Sequence, residues 1–199
     1  MINSIKKILI GFVCALFLHS TAFATVYNID SSHSSVEFEV THLLISKVKG
    51  VFNEFSGQIN WEPTKLKRSS FEGNVFVKSI DTNNIKRDEH LIAPDFFDLV
   101  QYPKINLKSI KIRPTKVKGE YTLFANLTMK NVTKRIVAPL VVKGPVKDNW
   151  GNNRMAFETT FTINRFDYNV NWDSVIETGQ FVVGKDVTIT ALIQGIEAK

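Results

Sequence analysis

The sequence predicts an all-β fold, an antiparallel sandwich or barrel of about eight strands, with a short helical insertion near residues 83–99. Three observations carry that prediction. Apolar and polar residues alternate with a period of two along most of the chain. Turn signals punctuate the alternating runs at Glu62-Pro63, Lys118-Gly119, Gly144-Pro145, Trp150-Gly151-Asn152 and Gly184-Lys185. The period of two disappears between Asn83 and Leu99.

The first segment stands apart from the fold. Lys6 and Lys7 precede an apolar run from Ile8 to Leu18, and Ala22-Phe23-Ala24 offers a small-x-small cleavage site. The run is too short for a membrane anchor. Residues 1–24 therefore read as a cleaved secretory signal, and residues 25–199 as one domain. The single cysteine, Cys14, falls within the leader and lacks the preceding pattern of a lipoprotein. The exported part is then without disulfide, thiol nucleophile or cysteine metal site. Loss of Lys6 and Lys7 leaves 23 basic and 19 acidic residues, a net charge of +4.

The strands follow in order. In "SVEFEVTH", Val36, Phe38, Val40 and His42 share one face, and Glu37, Glu39 and Thr41 the other. Phe71, Val75 and Val77 align in "FEGNVFVKS", and Ile105, Leu107 and Ser109 in "INLKSIK". Tyr121, Leu123, Ala125, Leu127 and Met129 form one face of the next run; Met155, Phe157, Thr159, Phe161 and Ile163 form one face of another. Val187, Ile189, Ala191 and Ile193 close the chain. In the insertion, Asn83 or Asn84 caps a helix with Asp88 and Glu89 near its positive end. Ile85, Leu91 and Ile92 lie along one face of that helix. Pro94 suits the first turn of a second short helix carrying Phe96 and Phe97.

Motifs for catalysis or metal binding are sparse. After the leader the histidines are His33, His42 and His90, with no His-x-His or His-Glu-x-x-His spacing. His90 follows Asp88 and Glu89, but adjacent helical positions do not face a common centre. No Gly-x-Ser-x-Gly elbow, phosphate-binding glycine loop or dinucleotide fingerprint occurs. No nucleic-acid motif is present. The densest basic run, Lys104, Lys108, Lys111, Arg113, Lys116 and Lys118, reads as a solvated strand face or as a surface for anionic headgroups.

Eight antiparallel strands can close into a barrel that is filled by side chains or holds one small ligand. With Glu37 and Glu39 outward, the interior is apolar. An outer-membrane barrel with a polar lumen suits neither the helical insertion nor the ending "IQGIEAK". A packed core and a ligand channel both remain open at this point.

The stretches "YNIDSSHSSVEFEVTH" (27–42) and "VKGVFNEFSGQI" (48–59) resemble the start of the YceI-like family. So does "SIDTNNIKRDEHLIAPDFFDLVQYPKI" (79–105), with Arg87-Asp88, His90-Leu91, Asp95-Phe96-Phe97 and Tyr102-Pro103 in the family order. "LTMKNVTKRIVAPL" (127–140) and "INRFDYNVNW" (163–172) match later blocks. The resemblance implies a periplasmic, extended, lipocalin-like barrel whose apolar channel binds a long polyisoprenoid or a related amphiphile such as a quinone or prenyl phosphate. It implies a binding role without catalysis. Two departures stand out. Leu43 and Leu44 occupy a place where the family often has glycine, which bears on the shape of the mouth. Asn169 also replaces a usual glycine, at a position where Asn tolerates a left-handed turn.

On parity and resemblance together, the ligand tail is expected against Phe38, Val40, Phe52, Phe55, Val75, Val77, Leu107, Leu123, Phe161 and Ile189. Leu91, Phe96 and Phe97 are expected to form a lid. His42 and Arg165 are candidates for the polar head, with a salt bridge from Arg165 to Asp167 or Glu158 as the competing role. No cofactor or metal is expected beyond a bound isoprenoid or quinone-like lipid. The expected partners are that amphiphile and, transiently, a membrane surface, with a homodimer also open. The rival functions are a stress-associated interaction protein with a filled barrel and an enzyme acting on a lipid or quinone through His42 or His90.

Overall fold

The computed structural model of the chain describes residues 24–175, 177 and 179–199. The expected leader, with Cys14, lies outside the described residues except for Ala24. The strands are β1 (Thr25–Ile29), β2 (Ser35–His42), β3 (Ser46–Phe52), β4 (Phe55–Trp61), β5 (Ser70–Phe76) and β6 (Ile80–Asp81). A helix, α1 (Ile85–Leu91), follows. Then come β7 (Lys104–Pro114), β8 (Glu120–Met129), β9 (Val132–Lys147), β10 (Asn153–Asn164) and β11 (Val183–Glu197).

All pairings are antiparallel, and eight strands close a barrel in the order β1-β4-β5-β7-β8-β9-β10-β11, with β11 returning to β1. The other strands continue three ribbons past a kink. β1 and β2 both run along β11, β1 opposite Gly195–Glu197 and β2 opposite Val183–Leu192. β3 follows β2 as β4 follows β1, and β6 extends β5 onto β3. Each kink has a polar group that meets the freed backbone. Asp30 accepts from Ser32 N–H, and Ser34 Oγ donates to the Asp30 carbonyl at 2.6 Å. Ser79 Oγ accepts from Glu54 N–H at 2.9 Å, where β3 gives way to β4. The barrel and its eight closing strands thus match the sequence expectation.

The predicted faces of β8 and β10 hold, and that of β7 shifts. Leu123, Ala125, Leu127 and Met129 are buried on β8, as are Met155, Phe157, Phe161 and Ile163 on β10. In β7 a bulge between Ser109 and Lys111 moves the inward face from Ile105 and Leu107 to Ile112. Ser109 leaves the apolar row there and accepts from Phe71 N–H at 2.9 Å.

Around Asn83 to Leu99 the structure corrects two details. Asn84 caps α1, accepting from Arg87 N–H at 3.1 Å. Ile85, expected on the apolar face, is 78% exposed, because so short a helix packs only through its C-terminal end at Leu91 and Ile92. Pro94 does not begin a second helix. Phe96 N–H and Asp98 N–H both donate to the Ala93 carbonyl, and Phe97 N–H to that of Leu91, so the chain turns back on itself. Arg87 and Asp88 anchor the helix to Thr82, just after β6. Arg87 Nε donates to Thr82 Oγ1 at 2.6 Å, and Asp88 accepts from Thr82 N–H at 2.9 Å.

An aromatic cluster closes the end of the barrel where β4 finishes and β8 begins. Trp61 meets Tyr121 at 5.1 Å, Phe157 at 5.7 Å and Phe71 at 6.1 Å between ring centroids. Tyr27 meets Phe157 edge-on at 6.2 Å. Such pairs add about 0.5–1.5 kcal/mol each beyond their buried area.

Outside this cluster, Arg154 of β10 ties three elements together. Its guanidinium donates to Asp148 at 2.7 Å, to Asp30 at 2.6 Å and to Gln194 at 3.0 Å. The hydrogen bond from Arg154 holds the Asp148 carboxyl well below the usual carboxylate range. Burial pushes the Asp30 carboxyl up, but hydrogen bonds from Arg154 and His33 outweigh it and the net direction is down.

Depressed carboxylate pKa values contribute stability above the unfolded value of about 4 and lose it as pH falls further. Urea denaturation should therefore show the stability gap between wild type and Arg154→Gln to be widest above about pH 5, narrowing toward about pH 2. Gly57 and Gly73 face each other across β4 and β5. A Cβ on Gly57 would lie 2.4 Å from the Glu72 carbonyl oxygen, whereas one on Gly73 meets nothing nearer than 3.8 Å. Gly57→Ala should lower stability by about 1–3 kcal/mol. Gly73→Ala should change it by less than about 0.5 kcal/mol.

Candidate binding channel

Period-two strands in a closed barrel send every second side chain inward, and here the inward set does not meet across the middle. An apolar cavity of about 230 Å³ remains. Val36, Phe38 and Val40 of β2 face it, opposite Leu107 of β7 and Leu123, Leu127 and Met129 of β8. β11 contributes Val187, Ile189, Ala191 and Ile193, and β10 contributes Phe161 and Ile163. Phe71 and Phe157, the inner members of the aromatic cluster, form its floor.

Most of the expected wall is in place. Phe38, Val40, Phe52, Phe55, Val75, Leu107, Leu123, Phe161 and Ile189 all line the cavity, together with Leu91, Phe96, Phe97 and Arg165. Val77 does not. β5 stops at Phe76, and the tight helical turn Val77–Ser79 rotates Val77 into the packed core, 1% exposed. His42 does not line it either. It ends β2, and its carbonyl accepts from Ile45 N–H and Ser46 Oγ in the hairpin beyond the wall. Leu43 and Leu44 are likewise absent from the wall; they form the tip of that hairpin. Ile59 and Leu140 belong to the cavity and were legible, since "FSGQINW" and "IVAPL" alternate as the selected strands do. Val170 also belongs to it but sits in a loop with no periodic signal.

Arg165 is buried, 4% exposed, and pairs with neither Asp167 nor Glu158. Glu158 binds Lys143 at 2.6 Å instead. The guanidinium donates to the carbonyls of Val170 at 2.6 Å, Gly184 at 3.0 Å and Val183 at 3.1 Å. It therefore clamps both ends of the segment linking β10 to β11. Burial pulls its pKa down, and the Asp173 carboxylate opposes that shift. Asn169 ends the Arg165–Tyr168 turn at φ 59°, the left-handed conformation expected of it. The other titratable wall residues among those described, Glu37 and Glu72, are engaged with Ser35 and Lys108.

The end opposite the aromatic floor carries the turn after α1. Phe96, 6% exposed, stacks on Trp172 with centroids 5.4 Å apart. His90 sets its edge against both rings, at 4.9 and 5.7 Å. Its Nε2 hydrogen-bonds Asp95 at 2.8 Å, which lowers the Asp95 pKa. Lys130, in the β8–β9 turn, donates to the Phe96 carbonyl at 2.5 Å. Phe97 packs on Phe52 at 6.2 Å, and Phe52 on Phe38 at 5.5 Å, so a file of rings runs from this turn into the wall. His90 and Asp95 themselves stay outside the cavity. Among the described residues, no three His, Cys, Asp or Glu side chains converge as metal ligands do.

The sequence and the fold are similar to those of known proteins. A UPF0312 protein of Staphylococcus aureus strain N315 is 32% identical over 168 residues, which span 84% of this chain and 95% of that protein. The crystal structure of Burkholderia cenocepacia BcnA matches with a TM-score of 0.74 at 22% identity, over 83% of this chain and 98% of that one. The Campylobacter jejuni YCEI protein matches with a TM-score of 0.69 at 25% identity, over 80% and 90%. A polyisoprenoid binding domain from Saccharophagus degradans matches with a TM-score of 0.67 at 15% identity, over 87% and 99%. The family model described as the YceI-like domain matches residues 27–194, and the chain belongs to that family.

Proposed function

We propose that the protein is a periplasmic binding or carrier protein that holds the tail of a long polyisoprenoid, or of a related quinone or prenyl phosphate, inside the barrel. One observation carries this reading: the inward faces of eight strands surround an apolar cavity with an aromatic floor at one end and a turn bearing Phe96 and Phe97 at the other. A filled barrel would leave no such space. Among the described residues, the carboxylates at the wall, Glu37 and Glu72, are engaged with Ser35 and Lys108, and the acid–base pair His90 with Asp95 lies outside it. The isoprenoid class is supported by the Saccharophagus degradans domain, which shares the fold and is described as binding polyisoprenoids. The periplasmic location rests on the leader in residues 1–24. Each methylene moved from water into such a channel contributes about 0.8 kcal/mol, so a few isoprene units outweigh the ordering cost without polar contacts.

Native mass spectrometry of the exported protein, followed by solvent extraction, is expected to show a bound amphiphile; a consistently empty protein whose stability ignores added isoprenoids would sink the proposal. Ala191 faces the cavity from the middle of β11. Ala191→Phe fills space that the tail needs, so tail affinity should fall at least about tenfold while thermal stability holds or rises. The lid yields a separate expectation. Replacing Phe96 and Phe97 together by Ala should speed release of a fluorescent tail far more than His90→Ala does, as measured by stopped-flow displacement.

A further inference from the structure

The hairpin joining β2 to β3 ends in Leu43, Leu44 and Ile45, which are 38%, 55% and 87% exposed. Leu43 and Leu44 have φ of 50° and 63°, the left-handed pair of a tight hairpin turn. Among the described residues, every other non-glycine position with positive φ holds Asn, Asp or Lys. The β8–β9 turn meets the same demand with Lys130 and Asn131. The β2–β3 tip thus places leucine where both the backbone and the solvent disfavour it. None of the three tip residues lines the cavity, so neither folding nor the wall accounts for them.

The tip is not isolated. Leu43 N–H donates to the Val182 carbonyl at 2.8 Å, beside Phe181. Phe181 bridges to Val175, and both are exposed. The patch hangs from the cavity rim, since Val183 and the Arg165 that clamps it both line the cavity. Exposed Lys47 and Lys49 on β3, which share Glu39 as a partner, and exposed Lys185 on β11 lie on the strands that lead away from it.

We propose that this hairpin tip, with Val175 and Phe181, inserts into the interfacial layer of an anionic lipid bilayer, where the cavity loads and unloads. The inference rests on the carrier reading, because a long-tailed amphiphile resides in membrane and has almost no free concentration in water. A protruding aliphatic tip suits insertion among acyl chains, and the net charge of +4 left once Lys6 and Lys7 go with the leader suits anionic headgroups.

The test compares wild type with Leu43→Asn/Leu44→Gly, which installs residues the turn prefers. Purified proteins are co-sedimented with vesicles of phosphatidylethanolamine and phosphatidylglycerol, melted, sized in solution, and offered a fluorescent polyisoprenoid without vesicles. The variant should partition onto vesicles at least about tenfold less. It should also extract the probe from vesicles correspondingly more slowly, melt at the same or a higher temperature, and take up the probe equally well in vesicle-free solution. Equal partitioning of the two proteins overturns the proposal. So does a wild-type dimer that the variant dissolves, which would assign the patch to a second copy. Failure of both proteins to take up the probe defeats the carrier reading, while the vesicle arm still decides the docking surface.

Discussion

Closure of the sheet on β11 is the constraint on which the cavity depends. This strand pairs with β10 along its whole inward row and meets β2 and β1 in succession on its other edge. Its register sets which residues face inside. A slip of one position would exchange Val187, Ile189, Ala191 and Ile193 for Thr188, Thr190, Leu192 and Gln194. The outer face opposes that slip through threonine pairs. Thr160 and Thr190 lie 3.1 Å apart, and Thr162 and Thr188 lie 3.2 Å apart. Hydrogen-bonded threonines outside and aliphatic residues inside favour the same register.

A closed apolar tube would normally collapse onto its own side chains, as small barrels often do. Two features oppose that here. The floor is made of rings that brace one another edge to face, and rigid rings cannot fold inward to fill the space. At the other end the covering turn is supported from outside, by Trp172 behind Phe96 and by Lys130 on its carbonyl. The polar residues of that turn hold its conformation. Arg87 and Asp88 converge on Thr82, and His90 with Asp95 braces the rings. The charges beside the cavity are thus spent on hydrogen bonds within and beneath the turn.

Arg165 shows the same logic. A guanidinium buried at the wall needs acceptors for its donors, and three backbone carbonyls supply them. A carboxylate partner would bury a second ion; carbonyls satisfy the donors at lower desolvation cost and also close the loop that carries Trp172. Sequence spacing pointed to Asp167 or Glu158, because nearby acids are visible in a sequence and nearby carbonyls are not.

The sequence by itself determined the strands, their inward faces and the interruption at Asn83, because alternation is local and a strand reports its buried side residue by residue. It also carried nearly all of the wall, from Phe38 to Ile189. The tertiary structure alone decided that the interior stays open, since packing across a barrel depends on all its strands at once. It decided where periodicity stops, at the turn that withdraws Val77 and at the bulge that advances Ile112. It also decided that His42 belongs to the hairpin and that Leu43 and Leu44 form an exposed tip at positive φ. Position along a chain fixes a side chain's face only while the strand remains regular, and each of these residues lies where it does not.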